Sequence, residues 1–117
     1  MTVYVMSFVA AVKTDRKEAY LEHCASAAEI FKSHGALRVV ELWGADVPPG
    51  ETTSYPMAVA AQPDETVVTG WQEWPDKQTC EANVEKAMSD PRFQEMGDLP
   101  FDGKRMIYGG FDTLIDV

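Results

Sequence analysis

Four polar side chains lie inside otherwise apolar stretches, and these are the residues best placed to do chemistry. Arg38 and Glu41 fall in ALRVVELWG, residues 36–44, and Arg105 and Tyr108 fall in KRMIYGGF, residues 104–111. An unpaired buried charge is costly, so any of these that points inward must be paired or hydrogen bonded. A ligand can meet that need, and so can one half of a structural ion pair. A desolvated carboxylate can also act as a general base, which makes Glu41 the candidate catalytic residue. The candidate ligand-binding set is Arg38, Trp43, Trp71, Arg105, Tyr108 and Phe111, with Phe8 as a further aromatic wall. Aromatic side chains in strands also serve as plain core, and that reading stands beside the pocket one.

Other reactive residue types offer less. Cys24 and Cys80 sit in apolar helical stripes, where a free cysteine behaves as a small hydrophobe. A nucleophile needs a lowered pKa and a partnering base, and the sequence shows neither for these two. His23 and His34 are eleven residues apart, roughly 16 Å along a helix, too far to chelate one ion by themselves. No phosphate loop, GxGxxG, HExxH or nucleophile elbow is present. No metal site and no cofactor are expected.

The elements that must position these residues follow from periodicity. Residues 3–12 alternate as Val3, Val5, Ser7, Val9 and Tyr4, Met6, Phe8, Ala10; both sets are apolar, as in a strand buried on two faces. Asp15 and Glu18 have capping-box spacing, and Tyr20, Cys24, Ala27 and Phe31 form the core stripe of the helix that follows. Gly35 suits its C-terminal stop. Residues 36–44 are the second strand, with Arg38 and Glu41 on opposite faces. Residues 44–56 hold three prolines and two glycines and must be a loop, of a length that tends to be functional or to cover something. Residues 57–62 read as a short strand and 66–74 as a longer one. Asp76 is the expected N-cap of a second helix with Cys80, Val84, Ala87 and Met88 on its apolar face. Pro91 suits the first turn of a short extra helix. The last strand is expected from about residue 104 to 117, with Arg105 and Tyr108 on opposite faces. Gly109-Gly110 within it implies a bulge or a close backbone approach by another chain or a ligand.

The resulting order is βαββαβ with an elaborated centre: an α+β, ferredoxin-like plan with an antiparallel sheet, one domain over residues 1–117. Two helices cover one sheet face, and the strands are apolar on both. Soluble monomers seldom expose such a face, so a homodimer packed sheet to sheet is expected. The net charge of −9 argues against nucleic acid and anionic membrane surfaces as partners. No apolar run approaches the ~20 residues of a spanning helix, the N-terminus reads as a strand rather than a signal peptide, and the two cysteines fit a reducing cytoplasm.

The chain also resembles the YbaA-like bacterial proteins, a family of unknown function. The likeness is carried by His34-Gly35-Ala36-Leu37, Asp46-Val47-Pro48, Ser54-Tyr55-Pro56, Asp64-Glu65-Thr66-Val67-Val68, Asp90-Pro91-Arg92 and, most densely, Pro100-Phe101-Asp102-Gly103-Lys104-Arg105-Met106-Ile107-Tyr108-Gly109-Gly110-Phe111. Met57 is a departure, standing where the family pattern has arginine. The resemblance implies the dimeric α+β barrel superfamily, whose members include cofactor-independent monooxygenases, haem-degrading enzymes, isomerases and ligand-sensing modules. Trp71 resembles the strand tryptophan of the haem-degrading type, but Cys80 and Glu81 stand where its ligand histidine is expected. At that level the analogy is one of fold only.

Three functions remain in view: a cytoplasmic homodimer binding a small molecule, a cofactor-independent monooxygenase or isomerase with Glu41 as base, and a non-catalytic structural or interaction dimer with a filled interior.

Overall fold

The computed structural model describes residues 2–117. Its strands are β1 (Tyr4–Lys13), β2 (Arg38–Trp43), β3 (Glu65–Trp74) and β4 (Ile107–Asp112), with helices α1 (Lys17–Ser33), α2 (Tyr55–Ala58), α3 (Lys77–Met88) and α4 (Pro91–Glu95). They form one sheet of order β2-β3-β1-β4, and every neighbouring pair is antiparallel. β3 lies between β1 and β2, so those two run parallel and α1 makes the crossover between them. This is the ferredoxin-like α+β plan that the element order implies.

Period-two alternation sorts the strands into two faces. Phe8, Ala10, Val12, Val68 and Trp43 pack against Tyr20 and Cys24 of α1. Tyr4, Met6, Val39 and the fully buried Trp74 pack with Cys80 of α3. The other face carries Val5, Ser7 and Val9 on β1, Val40 and Leu42 on β2, Thr69 and Trp71 on β3, and Ile107 and Phe111 on β4, as the register requires. Leu42, Ile107 and Phe111 are 45%, 45% and 57% exposed, so much of this face is uncovered.

Several local expectations are corrected. Residues 57–62 form no strand. Ser54 accepts the Met57 N–H at 3.1 Å and Pro56 sits in the first turn, which starts α2. The chain leaves α2 through Ala60 at φ +49, and Val59 packs on Ala11 and Val67, covering one end of the otherwise open face. The Asp15–Glu18 capping box does not form. Thr14 is tied to β3 by its N–H on the Asp64 carbonyl and its hydroxyl against that of Thr66, so residues 14–16 make a 3-10 turn and α1 starts at Lys17. Met88 lies 64% exposed instead of on the core face of α3. The last strand begins only at Ile107, because the Asp102 carboxylate accepts the Lys104 N–H and the Arg105 guanidinium and closes a turn there. Arg105 therefore precedes β4 and shares no strand with Tyr108.

Gly35, Asp76 and Asp90 act as their types dictate. Gly35 takes φ +116 beyond α1, the Asp76 carboxylate accepts the Thr79 N–H at 2.7 Å, and Asp90 accepts the Arg92 N–H at the start of α4. Among the described residues, no helix is long and apolar enough to cross a membrane.

Candidate functional site

Glu41 lies on the helix-covered face, and its carboxylate accepts the Tyr20 hydroxyl at 2.9 Å. Tyr20 is 5% exposed and Cys24, one turn further along α1, is 8% exposed. Aromatic rings close around them: Trp43 at 6.2 Å and Phe101 at 6.1 Å from Tyr20. The Lys17 ammonium stands 5.4 Å from the centre of the Trp43 ring, within cation–π range. Space for the carboxylate comes from Gly70, its neighbour across β3. A Cβ at Gly70 would meet the Val40 carbonyl, the Phe8 ring at 2.9 Å and the Glu41 Oε2 at 3.1 Å.

The electrostatics follow from burial. Desolvation raises the Glu41 carboxyl above its ordinary 4.5, while the hydrogen bonds from Tyr20 and Cys24 pull it back. β2 is an edge strand, so one side of Glu41 still meets water and the rise is moderated. Burial first, and then the Glu41 charge, push the Cys24 thiol up to about 12 and the Tyr20 phenol well above its usual range. Cys24 is thus held as a thiol, which does not suit a nucleophile. The chemistry this arrangement can support is proton acceptance by Glu41 with Tyr20 as its donor partner.

The remaining candidates divide between places. Trp43 joins Glu41. Tyr108 has the same facing but lies on β4, two strands beyond β3, where it is 72% exposed. Arg38, Trp71 and Phe111 belong to the open face. There Glu73 links the first two, accepting the Trp71 indole N–H at 2.9 Å and the Arg38 guanidinium at 3.3 Å. Arg105 reaches neither group. Its guanidinium grips both Glu65 oxygens at 2.6 and 2.8 Å and also donates to Asp102 and the Ala60 carbonyl. Glu65 answers with a carboxyl drawn down to about 2, chiefly by that bond. Arg105 thus has the ion-pair geometry that was one of its two readings.

The His34 Nε2–H donates to the Asp90 carboxylate at 2.9 Å, linking the end of α1 to the start of α4. His23 packs on Phe101, and burial lowers its pKa. Among the described residues, no group of three or more His, Cys, Asp or Glu side chains is arranged to hold a metal. The Gly109-Gly110 pair makes no bulge, since both residues keep register with β1. The close approach comes from within the chain: a Cβ on Gly110 would fall on the Tyr4 hydroxyl.

Sequence reasoning missed the hollows, which lie under the 44–63 segment at the Leu42–Val67 end of the open face. One, of about 400 Å³, is walled by Gly44, Val47, Pro56, Ala61, Gln62 and Glu65; the other, of about 200 Å³, by Leu42, Trp43, Val47, Tyr55, Val67 and Thr69. They share Gly44, Val47 and Val67. Glu41 lines neither. The available signal was the Ser54-Tyr55-Pro56 helix start, which fixes how the segment folds back.

With this geometry in hand, the family model described as "Protein of unknown function (DUF1428)" is found to match residues 3–103. The chain belongs to the DUF1428 family. It is 54% identical over 114 residues, 97% of each chain, to the uncharacterized protein YbaA of Escherichia coli strain K12, and equally to that of Shigella flexneri. Two solved structures share the DUF1428 chain's fold at low identity. One, a Nitrosomonas europaea protein given provisionally as an antibiotic biosynthesis monooxygenase, has a TM-score of 0.58 and 19% identity, covering 96% of this chain and 90% of that one. The other, a dimeric ferredoxin-like protein from an uncultured marine organism, has a TM-score of 0.58 and 11% identity, covering 100% and 92%.

Proposed function

We propose that the protein is a cytoplasmic homodimer that binds a small molecule in the adjoining hollows on its open sheet face. The observation that carries this reading is the 400 Å³ hollow, within the usual range of ligand sites, continuing into a smaller one bounded by Leu42, Trp43 and Tyr55. Both open on the face where Leu42, Ile107 and Phe111 stand exposed. A second copy packed there would cover the apolar strands and narrow the mouth of the site. The fold likeness to a dimeric ferredoxin-like protein supports a pairing of this kind. Native mass spectrometry of the protein taken directly from cells tests it: two chains carrying a small-molecule adduct are expected, and an adduct-free monomer would overturn the proposal.

A second reading is favoured by the hydrogen-bonded pair of Tyr20 and Glu41. In it the protein is a cofactor-independent monooxygenase or isomerase, and Glu41, its proton affinity raised by burial, removes a proton from the substrate. Incubation with a metabolite extract separates the two readings by showing conversion or only retention. Glu41→Gln should abolish any conversion, and turnover that survives it would remove Glu41 from the mechanism.

A further inference from the structure

Two of the side chains that close the Tyr20–Cys24 cluster come from one irregular segment. Phe101 and Met106 pack against it from residues 97–106, between α4 and β4. Little else holds that segment down. Pro100 is buried and Phe101 makes one isolated bridge to Val12, but Asp98 and Leu99 before them and Asp102 to Lys104 after them are exposed. At its start, Gly97 takes φ +79 with nothing within 4 Å of where a Cβ would stand. At its end, Arg105 is pinned to Glu65, Asp102 and the Ala60 carbonyl. Segments with few buried contacts open at lower free energy than the core they cover.

The surroundings say which wall would yield. Glu41 keeps one side to water, so what is closed off is Tyr20 and Cys24, on which Phe8, Trp43, Phe101 and Met106 pack. Trp43 is fixed in β2 and overlaid by Lys17. Phe101 stands on chain without regular structure, edge-on to Tyr20 and to His23 at 6.0 Å.

We propose that residues 97–106 form a gate over the Tyr20–Cys24 cluster, with Phe101 as its plug and the Arg105–Glu65 ion pair as its latch. The latch residue Glu65 also walls the larger hollow, so the occupancy of that hollow and the position of the gate depend on one side chain. Arg105 is a positioning residue here and touches no reacting atom. The gate goes beyond the ligand-binding reading and stands without it. It closes the helix-covered side of the sheet, opposite the face through which two copies would pair.

Thiol accessibility tests the gate directly. Cys24 belongs to the cluster on which Phe101 packs, whereas Cys80, 2% exposed and packed with Trp74 and Ala36, serves as an internal control. N-ethylmaleimide labelling at a single pH, read by peptide mass spectrometry, should be slow at both thiols in the unaltered chain. Arg105→Ala should speed Cys24 labelling by about tenfold or more while Cys80 is unchanged, the pattern of local opening. Arg105→Lys keeps the charge but not the two-pronged fork, and should fall between. Phe101→Ala should expose Cys24 with the latch intact. If circular dichroism shows Arg105→Ala unfolded, Arg105→Lys and Phe101→Ala decide by the same ratio. Unchanged Cys24 labelling in the folded variants, or Cys24 and Cys80 accelerating in proportion, would overturn the gate. Because no ligand or partner enters the measurement, its failure is separate from failure of the dimer or of the binding site.

Discussion

The Tyr20 hydroxyl donates to the Glu41 carboxylate at 2.9 Å, joining the first turn of α1 to the edge strand β2 beside the Trp43 and Phe101 rings. Tyr20→Phe removes the donor and leaves the charge. A loss of about 1–2 kcal/mol in urea unfolding at pH 7 is expected, typical of a hydrogen bond to a charged group with some access to water. The Glu41 titration, followed by NMR, should then move further up, because a bond favouring the charged form has gone. An unmoved titration would place the bond outside the electrostatics of the site.

The same carboxyl gives stability a definite sign with pH. Its folded pKa lies above the ordinary 4.5, so the folded state disfavours the charged form. The penalty is fully present above the folded pKa and is relieved as pH falls towards the unfolded value. Glu41→Gln should remove that contribution, so that wild type minus variant stability rises on acidification through this window. Urea midpoints at pH 7, 6 and 5 would measure it.

Glu65 runs the other way. Its side chain is 5% exposed and its carboxyl is drawn to about 2 by Arg105, so the stability it contributes is present above 4.5 and is lost as pH falls towards 2. Glu65→Gln should cost about 1–3 kcal/mol at neutral pH, since the two-pronged pair is lost and Asp102 is the carboxylate that Arg105 keeps. The gap from wild type should narrow between pH 4.5 and 2. A gap that persists at pH 2 would mean that packing, not charge, is what the substitution removes.

On the open face, Leu42→Asp or Phe111→Asp places a charge where apolar side chains stand exposed in the single chain. If two copies cover that face, either change should weaken association by about a hundredfold or more, as for a central interface residue. Sedimentation velocity across a concentration series would show the shift from dimer to monomer. A monomeric unaltered chain would end the pairing hypothesis.

Gly110 is closed to every side chain by the Tyr4 hydroxyl. Gly110→Ala should destabilise by about 1–3 kcal/mol, the usual cost of overpacking. Tyr4→Ala in the same chain should recover part of that loss. Thermal unfolding of the two single variants and the double variant measures the coupling, and additive losses would show that the two positions do not meet.

What could be read from residues alone was what local chemistry decides. Alternation in β1 and β2 places Glu41 opposite Arg38, and Gly35, Asp76 and Pro91 mark helix ends by backbone conformation or capping ability. The Tyr20–Glu41 contact was out of reach, because it depends on how α1 rotates about its own axis against β2, 21 residues away. α2 was missed although Ser54 and Pro56 signal it, since Met57 to Ala61 is a short apolar run that can pass for a strand. Arg105 was misplaced because a turn held by the side chain of Asp102 interrupts an apparently continuous strand. The glycine pair pointed to a close approach by another chain or a ligand, whereas Tyr4 of the same chain makes it.

Gly70 has a further consequence for how the sheet chooses its register. A slip of β3 by one residue would bring Thr69 or Trp71 beneath the Glu41 carboxylate and the Phe8 ring, where not even a Cβ fits. Such a slip also turns every side chain of the strand to the wrong face. The glycine therefore works as a keyway: the sheet can close in one alignment, and that alignment is also the one that assembles the carboxylate site.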